Sequence, residues 1–195
     1  EKINLIEKSL KKILSKYNIP DIFINCSYPK TKDWNKNNFE NIKLNSFKKN
    51  IEIQLIANSW TNYLVAKNMK LKNKKGKIIQ IGSIYGSISQ DPKFYKGTKI
   101  KENFTYPLIK GGITKFMQQL AVYYAEHGIL INTISPGGII NNQDQIFIKK
   151  YSAKTPAGRM AKPEDIASFI KFICLEDSSY LIAQDLVIDG GYSKI

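Results

Sequence analysis

Four aliphatic runs punctuate the chain: IFIN from Ile22, KIIQI from Lys77, ILINTIS from Ile129 and DLVID from Asp185. Each is bounded by Pro, Gly or small polar residues and reads as a strand buried on both faces, the pattern of a parallel sheet. Between them the apolar residues recur at helical spacing. Ile3, Ile6, Leu10, Ile13 and Leu14 mark an amphipathic opening helix over 1–17, and Ile51, Leu55, Ala57, Leu64 and Val65 a long helix over 47–69. Ile113, Phe116, Leu120 and Tyr124 mark a third, stopped by Gly128, and Ile166, Phe169, Ile170 and Ile173 a fourth, opened by Pro163, Glu164 and Asp165. Helix and strand alternate four times, which implies an α/β domain with a parallel sheet and helices on both faces.

Two connections are unusual. Residues 31–50 are polar, with Trp34, Phe39 and Phe47 as candidate anchors. Residues 87–105 are too long and polar for a plain link and are expected to form a binding loop or a mobile lid. The helix after that loop tolerates Pro107 in its first turn. It also carries Gly111 and Gly112, each costing roughly 1 kcal/mol relative to Ala. That cost is reasonable where another backbone or a cofactor comes close.

Composition narrows the function. Hydrophobic residues make up 43% of the 195, and no apolar run reaches the length of a membrane span. Cys26 and Cys174 stand in no paired motif, so reduced thiols and a cytoplasmic location are expected, and the single histidine, His127, disfavours a histidine triad or metal centre. The formal net charge of +14 comes from lysines scattered among Asn and Ile, with Arg159 the only arginine. Such a distribution reads as solvated surface rather than as a nucleic-acid or membrane footprint.

The chemistry gathers between residues 76 and 112. Ser83 ends a strand, Tyr106 opens a helix, and Lys110 follows one turn later on the same face. An ammonium beside a phenol favours the phenolate and lowers its pKa, while a neighbouring hydroxyl can hold a carbonyl oxygen. A Tyr-x-x-x-Lys pair alone is common in a lysine-rich chain, so the flanking segments carry the weight.

Those segments resemble the short-chain dehydrogenase/reductase family along essentially the whole chain. DIFINCSYP is similar to the family's fourth-strand segment, KIIQIGS to its fifth strand with the catalytic serine, and Tyr106 with Lys110 to its Tyr-x-x-x-Lys. INTISPGGI, PAGRMAKPEDIA and DLVIDGGYS resemble its later signatures. The resemblance implies a Rossmann-like doubly wound parallel sheet missing its first βαβαβ portion, in one partial domain over 1–195 without the glycine-rich phosphate loop. It also implies hydride transfer between NAD or NADP and a carbonyl or alcohol. Tyr106 would be the acid/base, Lys110 would hold the nicotinamide ribose and lower the tyrosine pKa, and Ser83 would orient the substrate. Asn25, Pro136, Gly137 and Ile139 would contact the cofactor together with Tyr106 and Lys110.

The loop before Tyr106, the Cys-Ser-Tyr-Pro variant and PGGIINNQ further resemble reductases of flagellin-modification and surface-sugar pathways, implying a sugar or nucleotide-sugar substrate. Family members associate through the two long helices, so a homodimer or homotetramer is expected over 47–69 and 106–127. Gln54 stands where the family has a relay asparagine, and Ala183 where glycine is usual before Gln184. Gln54 and the missing start keep open an alternative, a catalytically silent relative serving as an assembly partner.

Overall fold

The computed structural model describes residues 3–175 and 178–195; Glu1 and Lys2 of the predicted opening helix lie outside them. Among the described residues, four strands form one parallel sheet in sequential order. They are β1 (Ile22–Asn25), β2 (Gly76–Ile81), β3 (Ile129–Pro136) and β4 (Asp185–Ile188). Asn25 registers with Gln80, Gly76 with Ile129 and Thr133 with Asp185.

Strand alternation divides the core between two faces. On one, Ile78, Ile129 and Ile131 meet Val65, Ala66 and Met69 of α3 (Ala57–Leu71) and Ile109, Ile113, Met117 and Ala121 of α5 (Tyr106–Tyr124). On the other, Ile79 and Ile134 meet Ile166 and Ile173 of α7 (Pro163–Leu175). The opening helix α1 (Asn4–Tyr17) lies outside α3 and buries no residue fully, although Leu10 packs against the first cluster. Gly128 ends the α5 segment with φ +69°, the left-handed stop expected of it.

The long second helix is interrupted. It starts as α2 (Leu44–Asn50), widens into a π segment over Ile51–Ile56 and continues as α3. Asn50, Gln54, Asn58 and Asn62 lie four apart and are all buried. Asn62 Nδ2 donates to Gln80 Oε1 of β2 at 2.7 Å, and Asn58 Nδ2 to the Gln54 carbonyl at 2.6 Å. A π turn within an α-helix frequently marks a functional site.

Two helices escape the hydrophobic pattern. Asp91 caps α4 (Pro92–Tyr95) by accepting from the Lys93 N–H, and Asp144 caps α6 (Gln145–Lys154) by accepting from the Phe147 N–H. They pack together through Phe94, Tyr95, Phe147 and Tyr151 in a third, aromatic cluster. The 87–105 connection is therefore anchored to α6, where Lys150 Nζ also donates to the Phe94 and Lys96 carbonyls. Of the expected anchors in 31–50, Trp34 is buried. Phe39 is 66% exposed and rests against Phe104 at 5.0 Å.

Candidate active site

The carboxyl ends of β1, β2 and β3 open into one crevice, the place where open α/β sheets bind ligands. β1 delivers Asn25 and the turn behind it. Asn25 Oδ1 accepts from both the backbone N–H and the hydroxyl of Ser27, at 3.1 and 2.9 Å, which leaves the buried Asn25 Nδ2 without a partner. β2 delivers Gly82 and Ser83. The Gly82 N–H donates to the Ile134 carbonyl at 2.7 Å, and Ser83 Oγ accepts from the Tyr85 N–H at 3.2 Å.

Tyr106 and Lys110 enter from the first turn of α5. Lys110 is buried, and its Nζ donates to the Ile81 carbonyl at 3.2 Å while lying 5.7 Å from the Tyr106 ring centre. The Ser83 side chain lies near the Tyr106 phenol and favours its ionised form. Serine, tyrosine and lysine thus converge, and Tyr106 lines a cavity of about 720 Å³.

The electrostatics differ from expectation. Burial raises the Tyr106 pKa, and the nearby Ser83 side chain offsets part of the rise. Burial also lowers Lys110 to about 8, with the nearby Cys26 thiol opposing. The expected depression of the tyrosine by Lys110 is not found: desolvation sets the direction of the shift, and Ser83, not Lys110, opposes it. The result is a protonated phenol beside a lysine poised near its titration point.

The segment after β3 is folded against its own neighbours. Pro136 is buried, the Gly137 N–H donates to the Ile188 carbonyl at 2.9 Å, and the Gly138 N–H donates to the Tyr151 hydroxyl. Ile139 pairs with Ala161 in an isolated parallel bridge. A Cβ on Gly137 would lie 2.9 Å from Asp189, so packing alone demands glycine there. Those two amides are engaged within the protein, although Pro136, Gly137 and Ile139 do sit at the crevice end of the sheet.

Three rings surround the phenol, of which the sequence singled out only Trp34, as an anchor. Tyr28, Trp34 and Tyr85 stand edge-on to Tyr106 at 5.9, 6.1 and 6.2 Å, and Lys110 Nζ lies 5.4 Å from the Tyr28 ring centre. The available signal was the aromatic residue directly after Asn-Cys-Ser. Gln54 sits in the π segment, its Nε2 donating to Asn50 Oδ1 at 3.4 Å and its Oε1 buried without a partner.

Comparison with known proteins gives the family. A family model described as enoyl-(acyl carrier protein) reductase matches residues 2–193. The chain is 31% identical to the post-translational flagellin modification protein A of Campylobacter coli over 186 residues, spanning 94% of this chain and 72% of that protein. It is 30% identical to a 3-oxoacyl-[acyl-carrier-protein] reductase of Buchnera aphidicola, spanning 96% and 72%. A short-chain dehydrogenase of Leptospira borgpetersenii, solved with bound NAD+, superposes with a TM-score of 0.86 at 36% identity, covering 99% of this chain and 74% of that one. The chain belongs to the short-chain dehydrogenase/reductase family. No helix among the described residues is long and apolar enough to cross a membrane.

Proposed function

We propose that the protein carrying this chain transfers hydride between NAD or NADP and a carbonyl or alcohol, with Tyr106 as acid/base. The observation that carries this is that Tyr106 and Lys110 enter together from α5, with Ser83 beside the phenol and Tyr106 on the cavity wall. Bound at the crevice, the nicotinamide would supply or accept the hydride. The residues there suit its polar end: Asn25 holds an unpartnered amide nitrogen, and Lys110 holds a buried cationic donor. Pro136, Gly137 and Ile139 would flank it.

In the reducing direction Tyr106 gives its phenolic proton to the substrate oxygen. Burial keeps that proton in place until an oxyanion develops to receive it. Ser83, beside the phenol, would share the same oxygen. Lys110, when protonated, offsets the charge left on the phenolate.

The cavity favours a hydrophilic substrate, a sugar or nucleotide-sugar, over an acyl chain. Ile100 is the one aliphatic residue on its wall. Six carboxamide residues line it, Asn35, Gln90, Asn103, Asn141, Asn142 and Gln143, beside the Tyr28 and Trp34 rings, and the amides of Gln90, Asn103 and Gln143 are already engaged within the protein. The amides of Asn35, Asn141 and Asn142 can both donate and accept, as hydroxyl groups require. Exposed Trp60 on α3 and Leu108, Val122 and Tyr123 on α5 support association of copies through those helices as a homodimer or homotetramer.

The test is nicotinamide turnover by the complete protein against a panel of sugar and simple carbonyls, with Tyr106→Phe alongside. Turnover lost in the variant while cofactor binding persists supports the reading. A parent that binds cofactor yet turns over nothing favours the silent assembly partner.

A further inference from the structure

We propose that Asn103 and Gln90, in the connection before α5, are positioning residues that fix Tyr106 and two of the rings around it in one orientation. The inference rests on Tyr106 being the acid/base, but the geometry behind it stands apart from any catalysis.

Asn103 uses nearly all of its hydrogen-bonding capacity. Its Oδ1 accepts from the backbone N–H groups of Thr105 and Tyr106, at 2.9 and 3.0 Å, which caps the helix at the residue bearing the phenol. Its Nδ2 donates to the Trp34 carbonyl at 3.1 Å, and its own N–H donates to Gln90 Oε1 at 2.8 Å. Gln90 Nε2 then donates to the Tyr95 hydroxyl at 3.0 Å, which donates to the Tyr85 hydroxyl at 3.1 Å.

The chain of contacts closes on itself. Tyr85 and Trp34 are two of the rings standing edge-on to Tyr106; Trp34 is tied through its backbone carbonyl to the Asn103 side chain, and Tyr85 through Tyr95 and Gln90 to the Asn103 backbone N–H. A shift of Tyr106 along its helix axis would have to break the cap, and a swing of its ring would push one tethered neighbour or the other. Fixing a reacting atom matters because displacement by about 1 Å can cost a factor of roughly 100 in rate. The long connection thus acts as a brace between the sheet, the turn at Trp34 and α5. Its own footing is the aromatic cluster with α6.

The side-chain chemistry predicts a graded response. Asn103→Asp keeps the acceptor for two backbone N–H groups but loses the donor to Trp34. Asn103→Ala loses both. Gln90→Leu cuts the path to Tyr85 without touching the helix cap.

The experiment combines a resonance and a rate. Complete protein carrying carbon-13 tyrosine is prepared, and the Tyr106 ring signal is assigned among the eleven tyrosines by its absence in Tyr106→Phe. The Tyr106 signal should move in Asn103→Ala and in Gln90→Leu while the Tyr17 and Tyr123 signals stay in place. Asn103→Asp should recover most of the position lost in Asn103→Ala. For turnover, kcat should fall about 10- to 100-fold with cofactor Kd unchanged. A stationary Tyr106 signal in both Asn103→Ala and Gln90→Leu overturns the proposal, whatever happens to the rate. A moved signal in a protein whose parent shows no turnover sustains the positioning and counts against the catalytic reading instead. If Asn103→Ala does not fold, Gln90→Leu and Asn103→Asp decide the matter alone.

Discussion

Gly111 of α5 faces the backbone of Gly86 so closely that a Cβ on Gly111 would lie 3.1 Å from the Gly86 carbonyl oxygen. A Cβ on Gly86 would meet the Lys110 carbonyl at the same distance. The helix bearing Tyr106 and Lys110 therefore packs backbone to backbone on the turn that follows Ser83. Substituting Gly111→Ala should force the two apart by a few tenths of an ångström. Helix propensity would gain about 1 kcal/mol, but overpacking costs about 1–3 kcal/mol. The expected result is a net loss of stability in chemical denaturation together with reduced turnover, since Ser83 moves relative to Tyr106.

Lys110 should make stability depend on pH in a direction opposite to that of a paired lysine. Its folded-state value of about 8 lies below its ordinary 10.5, so between these values the unfolded chain binds the extra proton. Stability attributable to this group is at its lowest below pH 8 and rises towards pH 10.5, by at most about 1.4 kcal/mol per pH unit. Lys110→Met should remove that rise and be more stable than the parent at neutral pH, at the expense of turnover. Denaturation of both proteins at several pH values checks it. A parent curve that falls from pH 8 to 10 relative to the variant would contradict the assignment.

Ala183 adopts φ +59°, a left-handed conformation that costs an alanine roughly 1–2 kcal/mol. It does so because its N–H must reach the Ile131 carbonyl at 3.0 Å as the chain turns into β4. Ala183→Gly should relieve the strain and return part of the gain as unfolded-chain entropy. The net expectation is a rise in Tm of about 2–4 °C, corresponding to about 1 kcal/mol for a chain of this size.

Gln54 presents a buried oxygen with no partner, a feature that typically costs about 1–3 kcal/mol. Gln54→Met keeps the volume and removes the unpaired group. Stability should hold or increase slightly. Should Gln54 serve a proton relay in place of the family's asparagine, turnover should fall about 10-fold or more. Unchanged turnover would leave it a purely structural residue.

The strands and the helices over the two main faces were legible because burial on both sides writes continuous aliphatic runs such as KIIQI, and one-sided burial writes a helical period. The placement of Ser83 at a strand end and of Tyr106 and Lys110 one turn apart on a helix was legible from the sequence. The cost of Gly111 pointed to a close approach, and Gly86 proved to be the approaching backbone. What escaped has a common cause. α4 and α6 are short and bury aromatic rings against each other rather than an aliphatic stripe against the sheet, so only the caps Asp91 and Asp144 announce them. The π segment around Gln54 leaves no mark in apolar spacing. Tyr28 and Trp34 reach Tyr106 from a different segment, a proximity that no local pattern encodes. The sign of the Tyr106 shift depended on how completely the phenol is enclosed, which spacing does not report.

The central claim is that the Tyr106 phenol passes a proton in step with hydride transfer. It is tested most directly by measuring nicotinamide oxidation by the complete protein and by Tyr106→Phe on one accepted carbonyl substrate, with cofactor Kd determined for both. The account predicts that Tyr106→Phe binds cofactor as the parent does and loses turnover by a factor of at least about 100, the contribution of a positioned acid. Turnover within a few fold of the parent would contradict it.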